Sequence, residues 1–235
     1  MVSGQAGRKP ITGISSMATR QVLAELAAAY ERKSGQRVII ESVGGVDAAR
    51  RVQDGEAFDI VVLASDALDR LAATGHVDPS SKVGLARSGV AIAVAAGERH
   101  PDISTEAALR EAVLNVRSIG YSTGPSGTHL TRLFERWGIA ESIASRIVQA
   151  PAGVPVGALV ARGDVALGFQ QLSELIHLPG IEVVGAMPPS TQVTTIFAAS
   201  ICPATKQRGA AQEFLSFLTS READDAKLAN GMEPV

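Results

Sequence analysis

Apolar and polar positions along the first 75 residues follow two alternating periods. Short apolar runs with strand-like composition are each followed by a stretch in which apolar residues, many of them alanine, recur at helical spacing. The run DIVVLA at 59–64 is typical of a strand buried on both faces of a parallel sheet. The pattern therefore predicts an α/β fold with strands at 11–14, 38–42 and 59–64 and helices at 17–33, 47–53 and 66–74.

The pattern changes after Leu85, where a strand predicted at 89–94 leaves the first set of elements. The chain that follows has βα units of its own, with strands at 118–121, 147–149 and 165–169 and helices at 126–137 and 156–162. A β-rich run at 194–199 could carry the chain back to a last helix at 206–219. We therefore expect two lobes, the first formed by residues 1–87 and 192–235 and the second by residues 88–191.

The composition excludes several classes of protein. A hydrophobic content of 46% and a charged content of 20% fit a compact globular chain, and a net charge of −2 gives no basis for a nucleic-acid surface. Cys202 is the only cysteine, which excludes an internal disulfide, and the four histidines lack metal-ligand spacing. We therefore expect neither a metal nor a cofactor.

The first residues bear on location. No run of about 18 apolar residues occurs, and residues 1–10 carry Arg8 and Lys9 but no apolar core of a signal peptide. We expect a periplasmic protein if a signal was removed or the start was misplaced, and a cytoplasmic protein otherwise.

Three segments place small residues after a predicted strand and before a predicted helix. A helix N-terminus has unpaired N–H groups and a partial positive charge, so several of them meeting at one point bind an anion without lysine or arginine. The alternative is that each segment only caps its helix or makes a tight turn. The anion-binding candidates from these segments are Ser15, Ser16, Gly44, Gly45, Ser126, Gly127 and Thr128.

Further candidates lie near later elements. Gln170 and Gln171 follow the last predicted strand of the second lobe, where neutral amides can donate hydrogen bonds to a ligand. Pro155 precedes the second helix of that lobe and completes the ligand-binding set. His129 is interpreted either as an exposed residue of the first helical turn or as a base. Glu174 would repel an anion, so we expect it to face solvent or to cap the next helix.

Three stretches carry a resemblance to a known family: GISSM at 13–17, AARRVQDGEAFDI at 48–60 and GALVARGDVALGF at 157–169. They resemble the molybdate-type periplasmic solute-binding proteins of ABC transporters, and the similarity runs from about residue 11 to residue 218. The resemblance implies a two-lobe, type II periplasmic-binding-protein fold. Such a fold closes on an oxyanion in a cleft between the lobes and holds it with hydroxyls and backbone amides.

The resemblance carries site residues over unevenly. Ser16, with Ser15 beside it, falls at the family's first ligand serine, and Ser126 falls at the helix start whose amide contacts the anion. The second ligand serine falls in the stretch 44–46, which has no serine, and the late ligand tyrosine falls at a glutamine, 170 or 171. These departures argue against tetrahedral molybdate. The set also looks like a branch that handles small carboxylates and includes an aconitate isomerase.

Two main functions therefore stay open. The leading one is a monomeric solute-binding protein that closes on a small oxyanion or a di- or tricarboxylate, with an ABC transporter permease as a possible partner. The alternative is an isomerase that moves a double bond in a small tricarboxylate by proton transfer. The candidate bases for that reaction, in order of preference, are His129, Tyr121, Asp47 and Glu174. A cytoplasmic ligand-sensing module is a third interpretation.

Overall fold

The computed structural model describes residues 8–151 and 153–235. These residues form two compact units. The first consists of residues 8–86 with Ile196–Ala229 and Glu233–Val235, and the second of Arg87–Thr195 with Asn230–Met232. The predicted division into lobes, 1–87 with 192–235 against 88–191, stays a prediction, as does the cleft between them.

Strands and helices alternate along most of the chain, which confirms the predicted α/β class. The strands are β1 (Ile11–Ser16), β2 (Val38–Val43), β3 (Ile60–Ala64), β4 (Val83–Ala95), β5 (Ile119–Tyr121), β6 (Ile147–Gln149), β7 (Leu167–Gln171), β8 (Ile181–Ala186), β9 (Thr194–Ile201) and β10 (Glu233–Pro234). The α-helices are α1 (Arg20–Ser34), α2 (Gly45–Gln53), α3 (Ser65–Ala73), α4 (Glu106–Asn115), α5 (Pro125–Arg136), α6 (Ala140–Ile143), α7 (Val156–Ala161), α8 (Leu172–Leu175), α9 (Arg208–Leu218) and α10 (Asp224–Ala229). Short 3-10 helices occupy Met17–Thr19, Pro79–Ser81, Ala144–Arg146 and Arg221–Ala223.

The sheet of the first unit has the order β2–β1–β3–β9. β1 pairs in parallel with β2, from Ile11 opposite Val38 to Ser16 opposite Val43, and in parallel with β3 on its other side. β9 is antiparallel to β3. Because β1 and β2 end in register, the chain leaves both strands at one edge of the sheet. Ser16 and the glycines that follow β2 therefore lie at that edge.

The core of the first unit is centred on β3, whose five residues are all buried, as the DIVVLA run predicts. Helix α1 buries the apolar side that includes Leu23 and Leu26. The ring of Tyr30 on the same helix lies 5.1 Å from the ring of Phe214 on α9. The helix ends at Gly35, whose φ of 69° is strained for residues with a side chain.

The sheet of the second unit places β7 between β4 and β5. β4 is antiparallel to β7 and β8, whereas β5 is parallel to both β6 and β7. Tyr121 lies opposite Phe169 in the β5–β7 pair, so the start of α5 and the end of β7 meet at one edge. Helix α7 packs closely on this sheet, because a Cβ at Gly168 would lie 2.5 Å from Cγ2 of Val160.

The extents of several elements differ from the prediction. β7 spans Leu167–Gln171 rather than 165–169, because the N–H of Val165 bonds to the Leu159 carbonyl in the turn that follows α7. The two glutamines therefore end the strand instead of following it. The helix predicted from residue 17 begins as a 3-10 turn before Arg20. Helix α4 and strand β8 were not predicted.

Asp59 joins three segments of the first unit through its buried carboxylate. Oδ2 accepts hydrogen bonds from the backbone N–H of Thr12 at 2.8 Å and from Gln207 Nε2 at 3.2 Å, and Oδ1 accepts one from Thr205 Oγ1. The residue therefore connects β1, the start of β3 and the segment that precedes α9.

Replacing Asp59 by alanine should lower the free energy of unfolding by about 2–4 kcal/mol, since buried donors lose a charged acceptor. The control is Asp66→Ala, which removes only an exposed pair with Arg70 at 2.8 Å and should cost less than about 1 kcal/mol. Urea unfolding followed by circular dichroism measures both values. Equal losses in the two variants would contradict the role given to Asp59.

Candidate functional site

Ser16 ends β1 with a side chain that is only 7% exposed. Its hydroxyl has no hydrogen-bond partner among the residues that the structure describes. Ser16 is also the N-cap of the 3-10 turn Met17–Thr19, yet it makes no side-chain capping bond. A buried polar group without a partner is costly in a folded protein. Capping therefore does not explain the Ser16 hydroxyl, which the described residues leave without a partner.

Ser15 differs from Ser16 although the two are adjacent. It is fully buried, and its Oγ lies 2.8 Å from Oγ of Ser42 near the end of the neighbouring strand. The same oxygen donates at 3.3 Å to the Ser16 carbonyl. Ser15 therefore supports the end of β1, and of the two serines only Ser16 has a hydroxyl without a partner among the described residues.

The start of α2 lies beside Ser16. Gly44 is the N-cap, Gly45 is the first helical residue, and a Cβ added to Gly45 would lie 3.5 Å from Cβ of Ser16. The helix thus begins two residues before the predicted start at Asp47. The first N–H groups of a helix have no intrahelical acceptor, so the start of α2 places such donors near the Ser16 side chain.

Asp47 lies in the first turn of α2 and forms an exposed ion pair with Arg50. Arg51 binds two carboxylates, with Nη1 at 2.6 Å from Glu41 and Nε at 2.6 Å from Glu56. These partners raise the pKa of the Arg51 guanidinium. The arginines of α2 therefore neutralise local carboxylates, and an anion at this helix start would be held by amides and hydroxyls.

In the second unit, the start of α5 is the helix N-terminus that corresponds to the start of α2. Gly124 is the N-cap, Pro125 is the first helical residue, and no side chain caps the helix. Helix geometry leaves the N–H groups of Ser126 and Gly127 without intrahelical acceptors. Both residues are buried, and the Ser126 hydroxyl lies 3.4 Å from that of Ser122. A Cβ at Gly127 would lie 1.7 Å from the Ser122 carbonyl oxygen, so only glycine fits.

The neighbours of this helix start have other contacts. Thr128 is exposed and its Oγ1 donates to the Gly124 carbonyl at 3.4 Å. His129 is half-buried, and its Nε2 donates to the Thr191 carbonyl at 2.7 Å, which leaves Nδ1 as the nitrogen able to accept a proton. The ring of Tyr121 is buried and lies 6.3 Å from that of Phe134.

Gln170 and Gln171 point to opposite faces of β7, as successive strand residues do. Gln170 Oε1 accepts a bond from the N–H of Val156 at 2.8 Å, and Nε2 donates to Glu174 Oε1 at 2.8 Å. Pro155, the N-cap of α7, lies next to that Val156 amide and is half-buried.

Gln171 is fully occupied by the protein. In the amide orientation that satisfies every neighbour, its nitrogen donates to the Ser88 carbonyl at 2.8 Å and the Gly89 carbonyl at 3.2 Å. Its oxygen then accepts from Thr195 Oγ1 at 2.8 Å. The geometry thus favours Gln170 over Gln171 as a ligand contact, a choice that the sequence left open.

Glu174 corrects one expectation. It does not face solvent: it is half-buried on α8 and accepts the hydrogen bond from Gln170. Removal from water raises the pKa of its carboxyl to about 7, against a smaller lowering by that hydrogen bond. The spacing of four residues between Gln170 and Glu174 was the sequence signal for this contact.

Residues 8–151 and 153–235 contain neither a cluster of metal-ligating side chains nor a helix suited to a membrane. No group of three or more histidine, cysteine, aspartate or glutamate residues is placed to hold a metal ion. No helix there has the length and apolar character needed to cross a membrane. Cys202 is buried, and burial raises the pKa of its thiol to about 12, so it is no nucleophile at neutral pH.

A family model described as bacterial extracellular solute-binding protein matches residues 11–233. The chain belongs to this family. The match confirms the family resemblance and extends it beyond residue 218 to nearly the end of the chain. In this solute-binding protein, the helix starts described above stay the predicted ligand site.

Known proteins similar to this solute-binding protein include an enzyme and two anion-binding proteins. An aconitate isomerase of Pseudomonas sp is 37% identical over 231 residues, covering 96% of this chain and 88% of that protein. The periplasmic molybdate-binding protein of Azotobacter vinelandii superposes with a TM-score of 0.79 at 20% identity, covering 94% and 98% of the two chains. The sulfate-binding protein of Mycobacterium tuberculosis H37Rv gives 0.78 at 16% identity, covering 97% and 88%. The structural neighbours confirm the periplasmic-binding-protein fold.

The candidate set as a whole stays a prediction. Within the first unit the structure brings Ser16 and Gly45 together, and within the second it brings the start of α5 and Gln170 to one sheet edge. The sequence analysis missed two contacts. The Ser15–Ser42 contact depends on how β1 pairs with β2, whereas the Gln170–Glu174 contact is local and had the four-residue spacing as its signal.

The raised pKa of Glu174 predicts a pH-dependent stability. The carboxyl has a pKa of 4.5 when unfolded and about 7 in the native state, so between these pH values the native state holds a proton that the unfolded chain has released. The stabilisation from this proton is fully present below pH 4.5 and is lost as the pH rises through 7. Relative to Glu174→Gln, the wild type should lose about 1–3 kcal/mol over this window. Urea unfolding at several pH values measures this, with the exposed Glu141→Gln as control. A difference that stays constant with pH would contradict the burial of a titrating Glu174.

Proposed function

We propose that this solute-binding protein captures a small organic-acid anion with several carboxylates. The observation that carries the proposal is the buried Ser16 hydroxyl, which has no partner among the described residues and lies beside the start of α2. Amide and hydroxyl donors at a helix start favour a negatively charged ligand. The start of α5, with its uncapped amides at Ser126 and Gly127, is a second group of the same kind.

The choice of an organic acid over an inorganic oxyanion rests on similarity. The aconitate isomerase is 37% identical to this chain, whereas the molybdate- and sulfate-binding proteins are 20% and 16% identical. A glutamine, 170 or 171, also offers a neutral amide where the resemblance places the family's ligand tyrosine. We include in the proposal a periplasmic location, in line with the family's description as extracellular. We also include a monomeric state and an ABC transporter permease as a possible partner, which rest on the resemblance alone.

A second candidate function is isomerisation of aconitate, which the 37% identical relative favours. In that reaction a base removes a proton from the carbon next to the double bond, the electron pair shifts along the allylic carbons, and a proton returns to the far carbon. No oxidant is needed. His129 is a better base than Asp47 in this geometry, because its Nδ1 is left to accept the proton while its Nε2 donates to the Thr191 carbonyl. Asp47 is engaged by Arg50.

The proposal predicts a defined ligand and a defined charge effect. In a thermal-shift screen of molybdate, sulfate, phosphate, citrate and trans-aconitate at one common concentration, a tricarboxylate should stabilise the protein most. At 100 times its Kd this stabilisation is about 2.7 kcal/mol.

Ser126→Ala should weaken binding by about 1–3 kcal/mol, and Ser126→Asp should nearly abolish it, since a carboxylate would then occupy the positive end of α5.

Calorimetry with matched controls tests the prediction. Ser145→Asp adds the same charge at an exposed serine of the second unit and should leave affinity unchanged. If Ser126→Asp binds as tightly as the wild type, the start of α5 is only a helix cap and the proposal fails.

The wild-type protein incubated with trans-aconitate in D2O separates the two functions. Binding without deuterium uptake supports solute capture, and uptake with formation of the cis isomer supports catalysis.

A further inference from the structure

The Gln170 carboxamide has one fixed orientation in the second unit. Its oxygen faces the N–H of Val156 at 2.8 Å, and a backbone N–H can only donate. Its nitrogen faces Glu174 Oε1 at 2.8 Å. Turning the amide over would place the nitrogen against a donor, so the two contacts together select one orientation.

This orientation leaves one donor over. A carboxamide nitrogen carries two hydrogens, and the bond to Glu174 uses one of them. Among the residues that the structure describes, no other acceptor bonds to Nε2, although the Gln170 side chain is only 2% exposed. A buried amide hydrogen without an acceptor is costly, and an anion would supply the acceptor.

The position of Gln170 fits a contact with the proposed ligand. It lies one residue before the end of β7, beside β5, whose end leads into α5. The unpaired amides of Ser126 and Gly127 therefore lie at the same edge of the same sheet as Gln170. An acceptor-rich ligand at that edge would meet donors from both elements.

We propose that Glu174 is a positioning residue, which holds the Gln170 amide with its second N–H directed to an oxygen atom of a bound polycarboxylate. This inference rests on the proposed function, because it assigns the ligand contact of that same site. Glu174 acts through Gln170 and makes no contact with the ligand. The role survives titration, because the neutral carboxyl keeps a carbonyl oxygen that accepts the bond and burial favours that neutral form.

Ser173, in the same segment as Gln170 and Glu174, is a second buried polar residue with an unused donor. It precedes Glu174 on α8, is only 5% exposed, and its Oγ has no partner within the described part of the chain. Two neighbouring buried side chains, at 170 and 173, thus keep donors that the protein does not use. The segment is therefore unusually rich in unsatisfied donors for a protein interior.

A double-mutant cycle tests the inference, with trans-aconitate and citrate as probes and calorimetric Kd as the readout. Glu174→Ala should weaken binding about tenfold in the wild-type background and less than twofold in a Gln170→Ala background, because the effect passes through Gln170. A residue that merely stabilises the fold would cost the same in both backgrounds. Equal losses, or no loss in the first background, would overturn the inference.

Conservative variants keep the test valid if Glu174→Ala does not fold. Glu174→Gln retains an acceptor at the same reach, so its affinity should stay within threefold of the wild type. Glu174→Asp is one methylene shorter, cannot reach Nε2, and should weaken binding about tenfold. Glu141→Gln, at an exposed glutamate of the same unit, should change nothing. If Glu174→Asp bound as tightly as Glu174→Gln, the positioning role would be contradicted.

The outcomes also separate this inference from the proposed function. If the wild-type protein binds neither tricarboxylate, the proposed function fails. If it binds and the cycle is additive, only the role of Glu174 fails.

Discussion

A backbone amide at a helix start has no acceptor within its own helix, and this constraint underlies the whole candidate site. At α2 and α5 the protein supplies no capping side chain. Glycine at 45 and at 127 keeps side chains away from the amides, and at 127 nothing larger fits beneath the Ser122 carbonyl. The N–H groups at these two helix starts are therefore left to water or to an external acceptor.

The parallel sheets determine where those donors lie. In each unit the strands that matter are parallel neighbours, β1 with β2 and β5 with β7, so the segments after them emerge at one edge. The positive charge of Arg51 on α2 is neutralised by its ion pairs with Glu41 and Glu56. The arrangement allows an anion to be bound by dipoles, without a counter-charge that would tie the site to one ligand geometry.

The apolar pattern was enough to predict the α/β class and most element positions, because buried strands such as β3 and amphipathic helices have strong periodicity. The small residues that follow the strands also located Ser16, Gly45 and Ser126 at the starts of helical segments. The sequence could not separate Gln170 from Gln171, since the two differ only in which face of β7 they occupy. It placed Glu174 in solvent or at a helix cap, because charge alone does not reveal that this side chain accepts a hydrogen bond from Gln170.

Amide chemical shifts test the central claim most directly, because they report on the donors themselves. In a ¹⁵N-labelled sample titrated with trans-aconitate, the N–H resonances of Ser126 and Gly127 at the start of α5 should move downfield and saturate with one common Kd, as expected for amides that gain a charged acceptor. Saturable binding that leaves these two resonances in place, while others shift, would contradict an anion site built on this helix N-terminus.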